Sequence, residues 1–355
     1  MIREMHGNLL HAEADALVNT VNTVGVMGKG IALQFKRAYP DNFRDYVSAC
    51  RRGEVRTRKV FVHETGQVRP PYYIINFPTK THWRGVAKLE DVEFGLSDLR
   101  RVIQELNIKS IVLPPLGCGN GGLEWSEVRE RIEAALGNLE DVDVAVFPPE
   151  GVPSAEAMPV RTRRPRMTVA RAALLLAFDR YIQLSDQAAL SMDGKFSIIE
   201  AQKVVYFLQE AGWSSKHEFV PSYYGPYSQT VDQLISSLEG HFIYGYGDGA
   251  TGSKAVLQLD ERALNDAHAL MNSDVQFFAV LDRFVELVEG FEFPYGIELL
   301  STVHYVANRT EEKPATVEKV VASIASWSAR KRRLFRPTQA AAALGHLIER
   351  HAVAT

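Results

Sequence analysis

The sequence predicts an α/β fold, a three-layer α/β/α domain over residues 1–150, joined by a linker to a mostly α-helical domain over residues 167–355. Three observations lead there. Short β-branched runs alternate with amphipathic helical patterns through the first 150 residues. Periodicity then vanishes in a proline-rich stretch, beyond which long helical patterns follow one another with hardly a strand between them. A chain of 355 residues is also too long for one ordinary core.

The candidate strands of the first domain are ALVNTVN (16–22), KVFVHE (59–64), YYIINFP (72–78), SIVLPPL (110–116) and VDVAVFP (142–148). Each is a β-branched or aromatic run bounded by turn residues. Candidate helices lie between them at 29–39, 41–51, 87–107 and 125–137, the last with Val128, Ile132 and Leu136 on one stripe. Sheets built this way bind ligands outside the carboxyl ends of their strands. Residues 148–166, PPEGVPSAEAMPVRTRRPR, hold five prolines and four arginines without a period, which places a linker at 151–166. Arg161, Arg163, Arg164 and Arg166 suit either a solvated linker or contact with nucleic acid. Helical patterns follow at 167–184, 196–212, 231–240, 275–290, 315–327 and 338–351, with one short strand at 255–260.

Composition excludes several classes. With 46% hydrophobic and 23% charged residues and a net charge of -3, the chain has no global attraction for nucleic acid or anionic lipid. The start MIREMHGNLL lacks a signal-peptide core, and no run of about 20 apolar residues could span a bilayer, so a cytoplasmic protein without a membrane partner is expected. Cys50 and Cys118 form no CxxC pair or Cys/His cluster, so neither a disulfide framework nor a structural metal site is expected, and no cofactor is indicated.

The stretch VNTVGVMGKGIALQF (21–35) places Gly25, Gly28 and Gly30 between a strand and a helix. It is not a P-loop, because Lys29 is followed by Gly30 rather than a hydroxyl residue, and not a dinucleotide fingerprint, because Leu33 stands where a third glycine belongs. The backbone N–H groups of Gly28, Lys29 and Gly30, with the helix start at Ile31 and Ala32, instead make an anion nest. A second glycine-rich turn, PPLGCGNGGLEW, follows the strand SIVLPPL and precedes a helix. If the two parent strands are neighbours, the turns clamp a diphosphate from both sides, and a pyrophosphate between two sugars is the expected ligand.

GNLLHAEADALVNTVNTVGVMGKGIA, then PPLGCGNGGLEW, then VAVFPP resemble a macrodomain, the ADP-ribose-binding α/β/α module, over residues 1 to about 150. GVMGKGIALQFKRAYP and INFPTKTHWR resemble the branch that holds the DNA ADP-ribosyl glycohydrolase antitoxins of DarT toxins and related lysine-dependent hydrolases. The resemblance implies release of ADP-ribose from bases of single-stranded DNA, chiefly thymidine. It implies that Asn8, with Leu9 beside it, receives the adenine amino group, and that Asn22 contacts the distal ribose, although an asparagine there also suits a turn. It implies that Gly28, Lys29, Gly30, Ile31 and Ala32 wrap the phosphates from one side, and Leu116, Gly117, Cys118, Gly119, Asn120, Gly121, Gly122 and Leu123 from the other. Phe147 faces either adenine or the core.

Lys80 is the catalytic candidate, standing just after a strand at the edge where the glycine turns lie, where the resembling hydrolases use a lysine. It can serve neutral, as nucleophile or base, or charged, against a departing pyrimidine anion. Some relatives have an acidic partner in the second glycine loop, whereas this chain has Asn120, Gly121 and Gly122; Glu124 reads as the opening of the next helix. His82, Trp83 and Arg84 offer a ring for a base, a guanidinium for a phosphate and an imidazole for either.

In the second domain YYGPYSQTVDQL resembles the YGPYS motif of Panacea-type antitoxin domains, with Gly225 and Pro226 turning the chain and Ser228 placed to cap a helix. Residues 232–312 carry 14 Asp plus Glu against 4 Lys plus Arg. Asp282, Glu286 and Glu289 share one helical face and are assigned to binding a cognate DarT-type toxin in its DNA groove; a solvated acidic surface is the plain alternative. Two rival functions remain open in the sequence: a non-enzymatic ADP-ribose reader, and a DNA-binding second domain using the arginine linker and KRRLFR (331–336).

Overall fold

A computed structural model describes residues 2–149, 153–188, 194–309 and 316–353. The chain divides into two compact units, Met1–Arg163 with Gly247–Ala250, and Arg164–Tyr246 with Thr251–Thr355.

The first unit is built on a six-stranded sheet of β1 (Arg3–Glu4), β2 (Ala16–Asn22), β3 (Phe61–Glu64), β4 (Tyr73–Lys80), β5 (Ser110–Leu113) and β6 (Asp143–Val146), in the order β1-β6-β5-β2-β4-β3. All neighbours run parallel except β3, which is antiparallel to β4. The helices are α1 (Gly30–Ala38), α2 (Pro40–Arg51), α3 (Leu89–Glu105) and α4 (Trp125–Leu136). Period-two alternation sorts the strand residues onto two faces. Ala16, Val18, Ile75, Phe77, Ile111, Leu113, Val144 and Val146 join Val92, Leu96, Leu99, Val128 and Ile132 of α3 and α4 in one core. Leu17, Ile74, Val112 and Ala145 point the other way, into a core with Phe35 and Ala38 of α1. The sheet is thus covered on both faces, the predicted three layers.

Strand β2 has its predicted bounds, and β1, two residues long, carried no sequence signal. Pro114 and Pro115 end β5 sooner than predicted, since proline offers no ladder N–H. Strand β4 runs two residues beyond the predicted Pro78, and the reason matters for the site. The register passes from Val21↔Pro78 to Asn22↔Lys80, a bulge at the one point where a proline interrupts a central strand.

The second unit contains α5 (Val169–Gln187), β7 (Lys195–Ser197), α6 (Ile198–Glu210), β8 (Val220–Ser222), β9 (Gly225–Tyr227), α7 (Gln229–Leu238), β10 (Ile243–Tyr244), β11 (Val256–Leu259), α8 (Glu261–Met271), α9 (Val275–Val288), α10 (Pro294–Arg309), α11 (Val317–Trp327), α12 (Ala329–Leu334) and α13 (Pro337–Glu349). It has one continuous apolar core. Helix α10, absent from the prediction, is buried on every side, from Gly296 through Ser301 to Ala307, so it lacks the polar face that marks a helix in sequence.

The YGPYS motif is seated on this helix. Gly225 adopts φ +94°, and a Cβ there would press to 3.0 Å from Thr302 Oγ1. The Pro226 carbonyl accepts from the buried Lys203 Nζ at 2.6 Å, while Ser228 exchanges two hydrogen bonds with Gln202. Ser228 holds the N-cap position of α7, but its side chain makes no capping bond there. Beside Lys203, Glu298 accepts from the fully buried Lys331 at 2.6 Å and pairs with Arg330. Burial, reinforced by the neighbouring Lys331 charge, pulls Lys203 down to about 7. Lys331 opens KRRLFR, so the leading residue of that run is a core ion-pair partner rather than a phosphate contact.

Candidate active site at the carboxyl edge of the first sheet

Strands β5, β2 and β4 are adjacent, and their carboxyl ends carry, in that order, the second glycine loop, the first glycine loop and Lys80. The two loops face each other: a Cβ on Gly30 would stand 3.3 Å from Asn120 Nδ2. Gly30 takes φ +63°, which favours glycine, whereas a Cβ on Gly28 would meet only Val26 at 3.6 Å. Lys29 is the N-cap of α1 and provides no side-chain cap, leaving Ile31 and Ala32 at an uncapped helix start. The Gly30 N–H donates to the carbonyl of Asp248, which clusters with this unit, so it is committed within the protein.

The second loop is a tight coil. Gly117 and Gly122 have positive φ, Leu123 N donates to the Gly117 carbonyl at 3.0 Å, and the Gly121 carbonyl accepts from Ala87 N at 2.9 Å. Leu116 is buried beneath it, while Gly119, Asn120 and Gly122 are exposed. Burial pushes the Cys118 thiol up to about 11, which keeps it protonated at neutral pH and unsuited to nucleophilic attack. Glu124 is the N-cap of α4, as its position suggested.

Lys80 lies opposite Asn22 in the sheet, and its Nζ donates to the Asn120 carbonyl at 2.8 Å. Its amine is thereby tied to the second loop, and its backbone is paired with the strand that leads into the first. Partial burial lowers its pKa below the usual lysine value, and among the described residues no carboxylate pairs with it.

Asn22 is buried and bonded within its own turn. Its Oδ1 accepts from Val24 N at 3.0 Å and Val26 N at 3.3 Å, and its Nδ2 donates to the Val26 carbonyl at 2.5 Å. These bonds hold the turn after β2. Asn8 likewise caps the short turn Leu9–His11 through Leu10 N, and its Nδ2 donates to the Ala157 carbonyl at 2.6 Å; Leu9 itself is buried. Phe147 is buried in the same core as Leu9 and Leu10.

Sequence reasoning missed Tyr46 of α2. It is fully buried, and its hydroxyl donates to the Asn22 carbonyl at 2.7 Å with Asn22 Oδ1 at 3.2 Å. Burial pushes the phenol far up, so it remains a donor. Only an Asn22-to-helix contact of long range reveals this role; tyrosine on a helix is otherwise ordinary core. Tyr46→Phe is expected to lose about 1–3 kcal/mol of stability, because the Asn22 carbonyl is left buried without its donor. It should also weaken ADP-ribose binding several-fold, which calorimetric titration checks.

His82, Trp83 and Arg84 are exposed together, with the His82 and Trp83 rings 5.4 Å apart and the Arg84 guanidinium 4.5 Å from the Trp83 ring centre. In the other unit Asp282, Glu286 and Glu289 are all exposed at the end of α9, but Glu286 pairs with Arg283 at 3.0 Å and Glu289 with Arg350 at 3.1 Å. Of the acids in residues 232–312, Glu239, Asp248, Glu292 and Glu298 are buried, and Glu311 and Glu312 lie outside the described residues. The acidic surface is therefore weaker than the sequence count implies.

A three-layer sheet with two opposed glycine loops at its carboxyl edge defines a macrodomain, and the Macro domain family model matches residues 18–132. Over nearly its whole length the chain is 45% identical to a DNA ADP-ribosyl glycohydrolase of Thermus aquaticus, covering 99% of this chain and 94% of that one. It is 43% identical to a DNA ADP-ribosyl glycohydrolase of Mycobacterium tuberculosis, covering 98% and 99%. A DNA ADP-ribosyl transferase–DNA ADP-ribosyl glycohydrolase fusion protein of Thermosipho africanus is 31% identical over 44% of each chain. The chain belongs to the DNA ADP-ribosyl glycohydrolase family. This membership sets aside the non-enzymatic reader. Among the described residues no helix is long and apolar enough to cross a membrane.

Proposed function

We propose that this chain cleaves the bond between ADP-ribose and thymidine bases of single-stranded DNA, using Lys80, and that residues 167–355 bind and neutralise a cognate DNA ADP-ribosyltransferase toxin in the cytoplasm. The observation that carries the first half is the position of Lys80, opposite Asn22 and bonded to the Asn120 carbonyl. A diphosphate held between the two loops puts the distal ribose beside the amine. Water adds to the anomeric carbon, the amine takes its proton, and that proton passes to the departing ring nitrogen, releasing ADP-ribose and unmodified thymidine. Backbone N–H groups and the start of α1 hold the diphosphate still during the step. Residues 1–150 do this work, with Asn8 and Leu9 lining the adenine end.

The second half is supported by the Thermosipho relative, whose name joins a transferase and a glycohydrolase in one chain, and by the exposed acids of α9, which remain after burial and ion pairing have reduced the acidic surplus of residues 232–312. Asp282, Glu286 and Glu289 are the contacts offered to the toxin. The test separates neutralisation from reversal. Full-length Lys80→Ala protein, unable to remove the mark, is added to the transferase and an unmodified thymidine oligonucleotide, and modification is measured. Suppression is expected at stoichiometric protein. It should weaken about tenfold when the three acids become Asn, Gln and Gln. Undiminished modification in the presence of excess Lys80→Ala protein would sink the antitoxin half.

A further inference from the structure

Among the described residues of the first unit, seven large apolar side chains are exposed, and four of them stand on the loops that leave β2 and β4: Val24 (48%), Val26 (38%), Trp83 (41%) and Val86 (75%). The concentration is not explained by folding, since exposed apolar groups gain nothing in the isolated protein and contiguous ones mark contact sites. The loops are built to hold them there. Thr23 donates from both N and Oγ1 to the Thr81 carbonyl, at 3.1 and 2.9 Å, tying the first loop to the start of the second. Ala87 N is tied to the Gly121 carbonyl, so the segment from His82 to Val86 is pinned at both ends and stands clear between them. From Asn22 to Gly30 and from Lys80 to Lys88 the chain carries Lys29, Lys80, Arg84 and Lys88 and no acid, within a protein of net charge -3.

Apolar faces interleaved with cations, rimming a site that faces Lys80, match one chemistry: nucleobases on a charged backbone. We infer that Val24 and Val26 on one side, and Trp83 and Val86 on the other, form a rim that holds the unmodified bases flanking the ADP-ribosylated nucleotide. This rests on the proposed reaction and extends it, because it makes the strand, and not only its ADP-ribose, part of what the enzyme recognises. Base faces are free for such contact only in a single strand, and contact through faces is tolerant of sequence.

The test compares full-length wild type with Val24→Ser/Val86→Ser on two substrates, an ADP-ribosylated thymidine oligonucleotide and ADP-ribosylated thymidine as a single nucleoside. The double variant is expected to lose about tenfold in kcat/KM on the oligonucleotide and to match wild type on the nucleoside. Equal losses on both substrates, or no loss on either, would overturn the rim. Binding of an unmodified thymidine oligonucleotide, followed by fluorescence anisotropy, gives a readout independent of the chemistry. It should weaken in the variant, and unchanged binding also overturns the rim. A wild type that binds this probe through Val24 and Val86 yet releases no ADP-ribose would sink the reaction and leave the rim standing.

Discussion

Alanine at position 80 should slow release of ADP-ribose from a modified thymidine oligonucleotide about 10²–10⁴-fold, the usual worth of a positioned acid or base. Affinity for free ADP-ribose should change little, because the proposed clamp uses backbone groups of the two loops rather than the Lys80 amine. The amine is lowered in pKa by partial burial, and no carboxylate among the described residues supports its charge, so its neutral form is favoured relative to a free lysine. The sign of the pH dependence follows. If the neutral amine works, kcat rises with pH as the ammonium deprotonates and levels off above its lowered pKa. If the ammonium works, kcat is flat at neutral pH and falls as pH rises through that same value. The rising profile is expected, and Lys80→Arg, which carries a permanent charge, should be as inactive as alanine. Equal release by wild type and Lys80→Ala would move the chemistry elsewhere.

Gly121→Ala should be nearly as damaging by a different route. A Cβ at 121 would lie 2.3 Å from the Gly117 carbonyl oxygen and 2.9 Å from the Ala87 Cβ, so the loop must open. Opening it strains the bond from Leu123 to Gly117 and the tether from Ala87, and the resulting overpacking costs about 1–3 kcal/mol of stability. ADP-ribose affinity should fall about a hundredfold, since the proposed diphosphate contacts depend on the backbone placement of one whole loop. Gly345→Ala, on α13 of the second unit, is the control, because a Cβ there meets nothing within 4 Å. Comparable affinity losses in the two variants, measured by calorimetry, would mean that the loop is not the rigid half of a clamp.

Much of this was legible before any coordinates. Strand β2, the alternation around it and the two glycine loops all rest on local chemistry, a period of two or 3.6 or the backbone freedom of glycine, while Lys80, the last residue of β4, was singled out by the family resemblance. The buried helix α10 was not legible, because burial on all sides erases the amphipathic period. The acidic face of α9 was legible only in part, since charge can be counted in sequence but the Arg350 partner of Glu289 comes from the end of another helix.

The sequence by itself determined the class of fold and the place of the two glycine loops, because each is encoded within a few consecutive residues, and it supplied the proposed clamp and the proposed reactive amine. Tertiary structure alone decided how they meet. The bulge at Pro78 sets Lys80 against Asn22, Tyr46 holds that asparagine from a helix 24 positions on, and the order β5-β2-β4 brings the loops face to face. Register and burial join segments tens of residues apart, and no local pattern specifies such a pairing.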